Sequence, residues 1–346
     1  MRAAMFNGPG LIEVGDRPNP ILTASTDAIV RVVLAAVCGS DVAYYRAEFP
    51  HAVGTIGHEF LGVVEEVGDE VRGIGIGDLV VSPFLSSDGS CAHCEMGVEI
   101  ECLNRSLYGD GQSDGGQGEL VRVPLAGSTL VPVPGSGHSD ATLKSLLTLS
   151  DVMSTGHHAA VSSDVRPGSV VAVVGDGPVG LCAVLASARL GADRIIALSR
   201  YPARQDLARE FGATDIVAAR GDEATATVLE MTNGIGVDCA LECVGSNESV
   251  ATAFSIARPG STVGVVGMPH DVLVSASQLF SRNMGWRGGV APARRYIPQF
   301  LDDVLDGRID PGRVFDYETD LEGVADAYRA MHERRAIKSL LRIGSM

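Results

Sequence analysis

The chain has 346 residues, enough for two domains at roughly 150 residues each. Hydrophobic residues make up 45% and charged residues 20%, a composition that excludes wholesale disorder. Acidic side chains outnumber basic ones 43 to 27, a formal charge of −16, and aromatic residues reach only 5%, so neither a nucleic acid nor an anionic membrane is expected as a partner.

The opening Met1-Arg2-Ala3-Ala4-Met5 lacks the apolar core of a signal peptide. No uncharged apolar run reaches the roughly 18 residues that a membrane span needs. The best candidate, 170–190, is broken by Asp176 and glycines. A soluble, cytoplasmic protein is expected, in which seven cysteines serve metal binding or packing rather than disulfides.

Short apolar runs come first, at 29–34, 60–67 and 79–81, separated by glycines at 54, 57, 62, 68, 73, 75 and 77. That pattern predicts a barrel or sandwich over about the first 150 residues. Cys38, the Gly57-His58-Glu59 triplet and Asp151 fall in this region, each unremarkable alone. Asp88, Cys91, Cys94 and Cys102 form D-x2-C-x2-C-x7-C. Two cysteines at this spacing chelate, a third thiolate builds most of a tetrahedral zinc site, and Asp88 supplies a fourth, oxygen ligand. His93 is a rival, but its adjacency to Cys94 makes joint coordination strained.

Past residue 164 the pattern changes. Apolar runs at Val170–Val174, 195–198, Asp215–Val217, 239–244 and 262–266 alternate with helix-like stretches. Nearly continuous apolar strands of this kind belong to a parallel sheet covered on both faces. Gly175-Asp176-Gly177-Pro178-Val179-Gly180 is a G-x-G-x-x-G directly after the first of these strands and before a helical pattern. The glycines permit a tight turn and close approach of a pyrophosphate, which meets the free N–H groups of the helix start. The next strand would ordinarily end in an acid for the adenosine 2′-hydroxyl of NAD; here Ser199, Arg200 and, further on, Arg204 follow Leu198. Without that acid a 2′-phosphate is not repelled, so NADP is expected over NAD, with NAD possible. The alternative is that both arginines are a solvated helix start. Toward the end of the chain, 322–331 reads as a helix and 337–343 as a last strand.

Together, Cys38-Gly39-Ser40-Asp41, Gly57-His58-Glu59-Phe60-Leu61-Gly62, Gly77-Asp78, the cysteine lobe, Asp151 with Thr155-Gly156, and the Gly175 turn resemble the zinc-dependent medium-chain alcohol dehydrogenases. The resemblance runs in order over essentially the whole chain. It implies an α/β protein with a GroES-like, β-barrel-type catalytic domain, 1–152 with 290–346, that carries a structural zinc lobe at 88–102. A doubly wound Rossmann domain, 153–289, is inserted in it. It further implies a second, catalytic zinc, with Cys38, His58 and Asp151 as ligands, Glu59 in or beside the metal's shell, and Ser40 receiving the substrate proton. The Asp151 position matches the bacterial branch of the family. Thr155, Val244 and Met268 match positions that line the nicotinamide pocket.

There are departures: Asp88 replaces the first of four lobe cysteines, and Ala43 replaces a proton-relaying histidine, leaving Tyr44 or the cofactor ribose and water. The pair His157-His158 cannot readily chelate together, because neighbours on a helix point about 100° apart. Cys182, Cys239 and Cys243 read as small core residues. The expected activity is hydride transfer between a small primary or secondary alcohol, or its carbonyl, and NAD(P). Tyr44 keeps a polyol or sugar dehydrogenase as an alternative, and a non-catalytic NADP-binding protein is a remote one. A homodimer or homotetramer is expected.

Overall fold

The computed structural model describes residues 1–111 and 113–345. They divide into two compact units, Met1–Asp151 with Pro292–Met346, and Val152–Ala291.

The first unit is built on antiparallel pairing. Its larger sheet runs Val131–Pro132, Leu79–Ser82, Glu59–Val67, Ala28–Ala36, Lys338–Arg342 and Phe315–Asp320, with Leu120–Val123 also paired to Ala28–Ala36. Strand Ala28–Ala36 is central and rich in β-branched residues, and nearly all of it is buried. A second sheet joins Leu11–Asp16, Arg2–Gly8 and Gly54–Thr55. The core between them gathers Phe6, Val30, Phe60, Val121 and Tyr328, all nearly solvent-free. Burying such side chains stabilises the unit by about 1.5–3 kcal/mol each.

The last strand, Lys338–Arg342, pairs antiparallel with Ala28–Ala36, so the chain's end completes the sheet begun by its start. Its other neighbour, Phe315–Asp320, runs parallel to it and is not evident in the sequence. That strand alternates half-buried with exposed residues, so no apolar run marks it. The helix read at 322–331 begins instead at Val324 and runs to His332. A short 3₁₀ turn, Leu321–Gly323, precedes it, and the Asp320 side chain accepts from Gly323 N. Helix Ala293–Leu305 carries Pro298 inside it, at its sixth residue, where the ring removes the backbone hydrogen bond that an N–H there would make one turn back.

The second unit holds a six-stranded parallel sheet in the order Asp215–Val217, Arg194–Leu198, Val170–Val174, Cys239–Glu242, Thr262–Val265, Gly285–Gly288. The strands step outward from Val170–Val174 in both directions, the doubly wound arrangement whose crevice lies at the carboxyl ends of the central strands. The strand read as 239–244 stops at Glu242. There the Glu242 carboxylate turns back and accepts from Val244 N at 2.9 Å and Gly245 N at 2.8 Å, which takes those groups out of the ladder. Helices Val152–Ser162 and Pro178–Arg189 approach closely at Gly156, where a Cβ would meet Ala183 N at 2.6 Å. Among the described residues no helix is long and apolar enough to cross a membrane.

Candidate active site and metal centres

Two groups of metal-binding side chains converge in the first unit. In each, one ligand atom per residue lies within 4.8 Å of all the others.

The first joins Cys38, His58, Glu59 and Asp151. Cys38 closes the sheet's central strand and caps helix Gly39–Tyr45. Its Sγ donates to Asp151 Oδ2 at 3.2 Å. His58 presents Nε2 to the same Asp151 oxygen at 3.5 Å and Nδ1 to Asp41 Oδ1 at 3.4 Å. Asp41 thus orients the imidazole so that Nε2 faces the thiol and carboxylate, the usual way a metal-bound histidine is fixed. Asp41 is itself held by Cys38 N at 2.9 Å and Gln117 Nε2 at 3.2 Å, and Tyr328 Oη donates to Gln117 Oε1 at 3.0 Å.

Behind this group is a fully buried ion pair, Lys338 Nζ to Glu59 Oε1 at 2.7 Å, with both side chains at 0% exposure. Lys338 also donates to Val37 O at 3.2 Å. The other Glu59 oxygen, Oε2, is buried without a hydrogen-bond partner, which leaves one oxygen for the cluster.

The electrostatics suit a cation. Burial, helped by the Asp151 charge, pushes the Cys38 thiol up to about 11. Burial disfavours charge on His58, yet Asp41 and Cys38 outweigh it and raise the imidazole well above its ordinary value. A thiol, an imidazole and carboxylates crowded out of water hold protons in order to coexist. A divalent cation replaces those protons and satisfies the Glu59 and Asp151 oxygens. With thiolate, imidazole and carboxylate oxygen, the donor set fits zinc.

The second group joins Asp88, Cys91, Cys94 and Cys102. Cys91 caps the short helix Ala92–Met96, which turns out through Gly97 in the left-handed region. Cys102 Sγ accepts from Asp88 N at 3.3 Å and Asn104 N at 3.4 Å. Burial pushes Cys94 up to about 12, whereas the N–H groups of Leu103 and Cys94 lower Cys91. The N–H groups of Cys91 and Ser90 hold the Asp88 carboxyl well below the usual range. This donor set also fits zinc. His93 is not part of this group, and its Nδ1 is engaged with Glu101 O. Arg295, from helix Ala293–Leu305, clasps the lobe through Glu99 Oε1 at 2.6 Å and Cys94 O.

Ser40 is half-buried in the first turn of its helix, and Ala43 is buried two residues past Asp41. Tyr44 packs against His51 with the rings tilted by 49° and their centroids 4.6 Å apart.

In the second unit, Gly175 at φ +119° ends the first strand, and a Cβ there would meet Val244 Cγ2 at 2.7 Å. A Cβ on Gly180 would run into Gly175 O. Gly177 caps helix Pro178–Arg189, whose first position is the proline, so the turn presents its free N–H groups at the carboxyl end of the central strand. Val244 and Met268 lie just past the next two strands, 47% and 37% exposed, and Thr155 is half-buried on helix Val152–Ser162. Ser199 Oγ, Arg200 N and Arg204 Nη1 all meet one acceptor residue, Asp176 of the glycine turn. His157 and His158 join neither metal group among the described residues. Cys182 and Cys239 are buried, and Cys239 donates to Ser163 O at 3.1 Å.

Several contributors carry little signal in sequence. Lys338 opens an apolar strand and looks like its polar boundary. Gln117 and Arg295 are far in sequence from the groups they hold. Asp41 has a local signal, its place three residues after Cys38 at a helix start.

Residues 24–135 match the family model for the alcohol dehydrogenase GroES-like domain, and residues 178–306 match that for zinc-binding dehydrogenases. A probable zinc-binding alcohol dehydrogenase of Mycobacterium tuberculosis is 34% identical over 339 residues, spanning 96% of this chain and 86% of that protein. An NADP-dependent isopropanol dehydrogenase of Thermoanaerobacter brockii is 33% identical over 302 residues, 83% of this chain and 84% of that protein. Among solved structures, the alcohol dehydrogenase TADH from Thermus sp. ATN1 matches with a TM-score of 0.91 at 32% identity, covering 99% of this chain and 100% of that one. The chain belongs to the zinc-dependent alcohol dehydrogenases of the medium-chain dehydrogenase/reductase family. It is accordingly an oxidoreductase, a zinc-containing, NAD(P)-dependent enzyme with a GroES-like and a Rossmann-type domain.

Proposed function

We propose that this enzyme interconverts small primary or secondary alcohols and their carbonyl compounds, with NADP preferred as the hydride carrier and Cys38, His58 and Asp151 as the catalytic ligands. The convergence of those three side chains, with Glu59 beside them, carries the reading. A zinc ion bound there supplies Lewis acidity; the same ion lowers the pKa of bound water from 15.7 to about 7, and a like effect on an alcohol is worth on the order of 12 kcal/mol.

The chain's own residues do the rest. Cys38 and Asp151 would hold the metal with two negative charges and His58 with a neutral nitrogen, while the charge of Glu59 beside them is met by Lys338. Asp41 keeps His58 in the tautomer that offers Nε2. Ser40, two residues from Cys38, accepts the alcohol proton at Oγ as it passes its own hydroxyl proton on toward the cofactor ribose and water. The glycine turn and the N-terminus of Pro178–Arg189 bind the cofactor pyrophosphate. Ser199, Arg200 and Arg204 read the adenosine 2′-phosphate, and the T. brockii relative's NADP dependence agrees with that choice.

The test is cofactor reduction by zinc-loaded protein with NADP⁺ beside NAD⁺, across short secondary alcohols, primary alcohols and polyols. A chelator-sensitive rate with NADP⁺ and a short alcohol is expected. A rate with NAD⁺ alone overturns the cofactor choice, and a rate with polyols alone overturns the substrate class.

A further inference from the structure

The donors that would read a 2′-phosphate already serve an anion from the protein itself. Asp176 is the second residue of the glycine turn, and its side chain is only 12% exposed. Its Oδ2 accepts from Ser199 Oγ at 3.1 Å and from Arg200 N at 3.0 Å. Arg204 Nη1 reaches Asp176 Oδ1 at 3.3 Å and Asp176 O at 3.2 Å. The Arg204 guanidinium is also set over the Tyr201 ring, 5.2 Å from its centroid. In a doubly wound sheet the end of the second strand is where the adenosine ribose is read. Ser199 is the residue just past that strand, Arg194–Leu198. An acid is thus present at this position, delivered from the turn rather than from the strand end.

A carboxylate and a phosphate group cannot share these donors, because both are anionic acceptors and like charges brought together in a poorly hydrated site repel. A ribose 2′-hydroxyl, by contrast, can approach the carboxylate and donate to it. We propose that Asp176 is the cofactor-selectivity residue of this enzyme. Its carboxylate fills the seat formed by Ser199, Arg200 and Arg204, holds those donors in place, and competes with the 2′-phosphate of NADP. The proposal rests on the reading of Ser199, Arg200 and Arg204 as the 2′-phosphate site. It adds that NADP enters by displacing an internal anion, so that NAD is discriminated against far less than the missing strand-end acid suggests.

A merely structural Asp176 leaves the ratio of the two affinities where it is. If it only braces the turn, its removal weakens every adenosine ligand. The measurement is calorimetric titration of the zinc-loaded full chain with adenosine 2′,5′-bisphosphate and with 5′-AMP, neither of which undergoes hydride transfer. Wild type, Asp176→Asn and Asp176→Ala are compared, with melting temperatures to confirm folding. The asparagine keeps the shape and one acceptor and removes the charge. Affinity for the bisphosphate is expected to rise at least about tenfold in Asp176→Asn relative to 5′-AMP, the effect of removing a like charge. The NADP⁺ to NAD⁺ ratio of kcat/KM is expected to move with it. An unchanged or lower bisphosphate-to-AMP ratio in both variants overturns the proposal. The wild-type ratio tests the underlying reading separately. If wild type binds the two ligands equally and the asparagine variant still gains tenfold, the NADP preference fails and the role of Asp176 stands. If wild type favours the bisphosphate and neither variant changes that, the role of Asp176 fails and the NADP preference stands.

Discussion

Replacing Lys338 by methionine keeps most of the side-chain stem and removes its charge. Nζ lies 2.7 Å from Glu59 Oε1, and neither side chain is exposed. At an effective dielectric of about 20, that separation corresponds to roughly 6 kcal/mol of attraction. Desolvation of the two ions, several kcal/mol each, offsets it, so the intact pair contributes little net stability. The single variant is different. It leaves the Glu59 carboxylate buried with no cation beside it, and Val37 O loses a donor at 3.2 Å. A loss of about 3–5 kcal/mol is expected for Lys338→Met in the metal-free protein. The double variant Lys338→Met/Glu59→Gln leaves no lone charge and should recover at least about 2 kcal/mol of that loss. Urea unfolding followed by circular dichroism gives the magnitudes. Hydrogen exchange at the amides of strand Lys338–Arg342 places the effect in the first unit. A single variant that loses less than about 1 kcal/mol, or a double variant as unstable as the sum of the two singles, refutes the argument.

Asp41→Asn should weaken zinc binding at the Cys38–His58–Asp151 group by about 10–100-fold, read by chelator competition, because the imidazole loses its orienting carboxylate; unchanged affinity contradicts that role. Burial pushes His157 down to about 4 from its ordinary 6.5, so the folded protein keeps it neutral while the unfolded chain takes up a proton. Its contribution is intact above pH 6.5 and is lost as the pH falls from 6.5 toward 4, on the order of 3 kcal/mol in all. Stability profiles of wild type and His157→Gln should therefore converge in that window, and parallel profiles contradict the assignment. Gly180→Ala drives a methyl group into Gly175 O and should abolish measurable binding of adenosine 2′,5′-bisphosphate; retained binding means the turn does not hold the cofactor.

Much of this architecture is legible in the sequence because hydrophobic period and glycine placement are local. Val170–Val174 followed by Gly175 announces a strand, a turn and a helix in one short stretch, and Gly175 and Gly180 are needed for the close approaches that the fold makes there. The cysteine lobe is legible for the same reason, since Asp88, Cys91, Cys94 and Cys102 fall within one loop. Cys38, His58 and Asp151 are another matter. Their convergence depends on strand pairing across more than a hundred residues, so only the family resemblance brings them together beforehand. The supports around them are less visible still. Lys338 reaches Glu59 from the far end of the chain because the last strand pairs with Ala28–Ala36, which also pairs with Glu59–Val67. Asp176 was hidden differently. The strand end lacks an acid, and nothing in the local pattern says that the turn before it supplies one to the same place. Strand Phe315–Asp320 carries a period-2 alternation of Phe, Tyr and Thr with acids, a half-buried edge-strand signal that is weaker than the continuous apolar runs because it spans only six residues.

We propose that two separate donor sets hold zinc and that the Cys38 group carries the chemistry. Zinc content per chain, measured by mass spectrometry alongside alcohol-dependent NADP⁺ reduction, tests it directly. Two zinc ions are predicted in the wild-type protein. Cys38→Ser should retain one zinc and lose turnover, and Cys102→Ser should retain the zinc at the Cys38 group while its melting temperature falls. Full turnover in Cys38→Ser after zinc at that group has been lost contradicts the account.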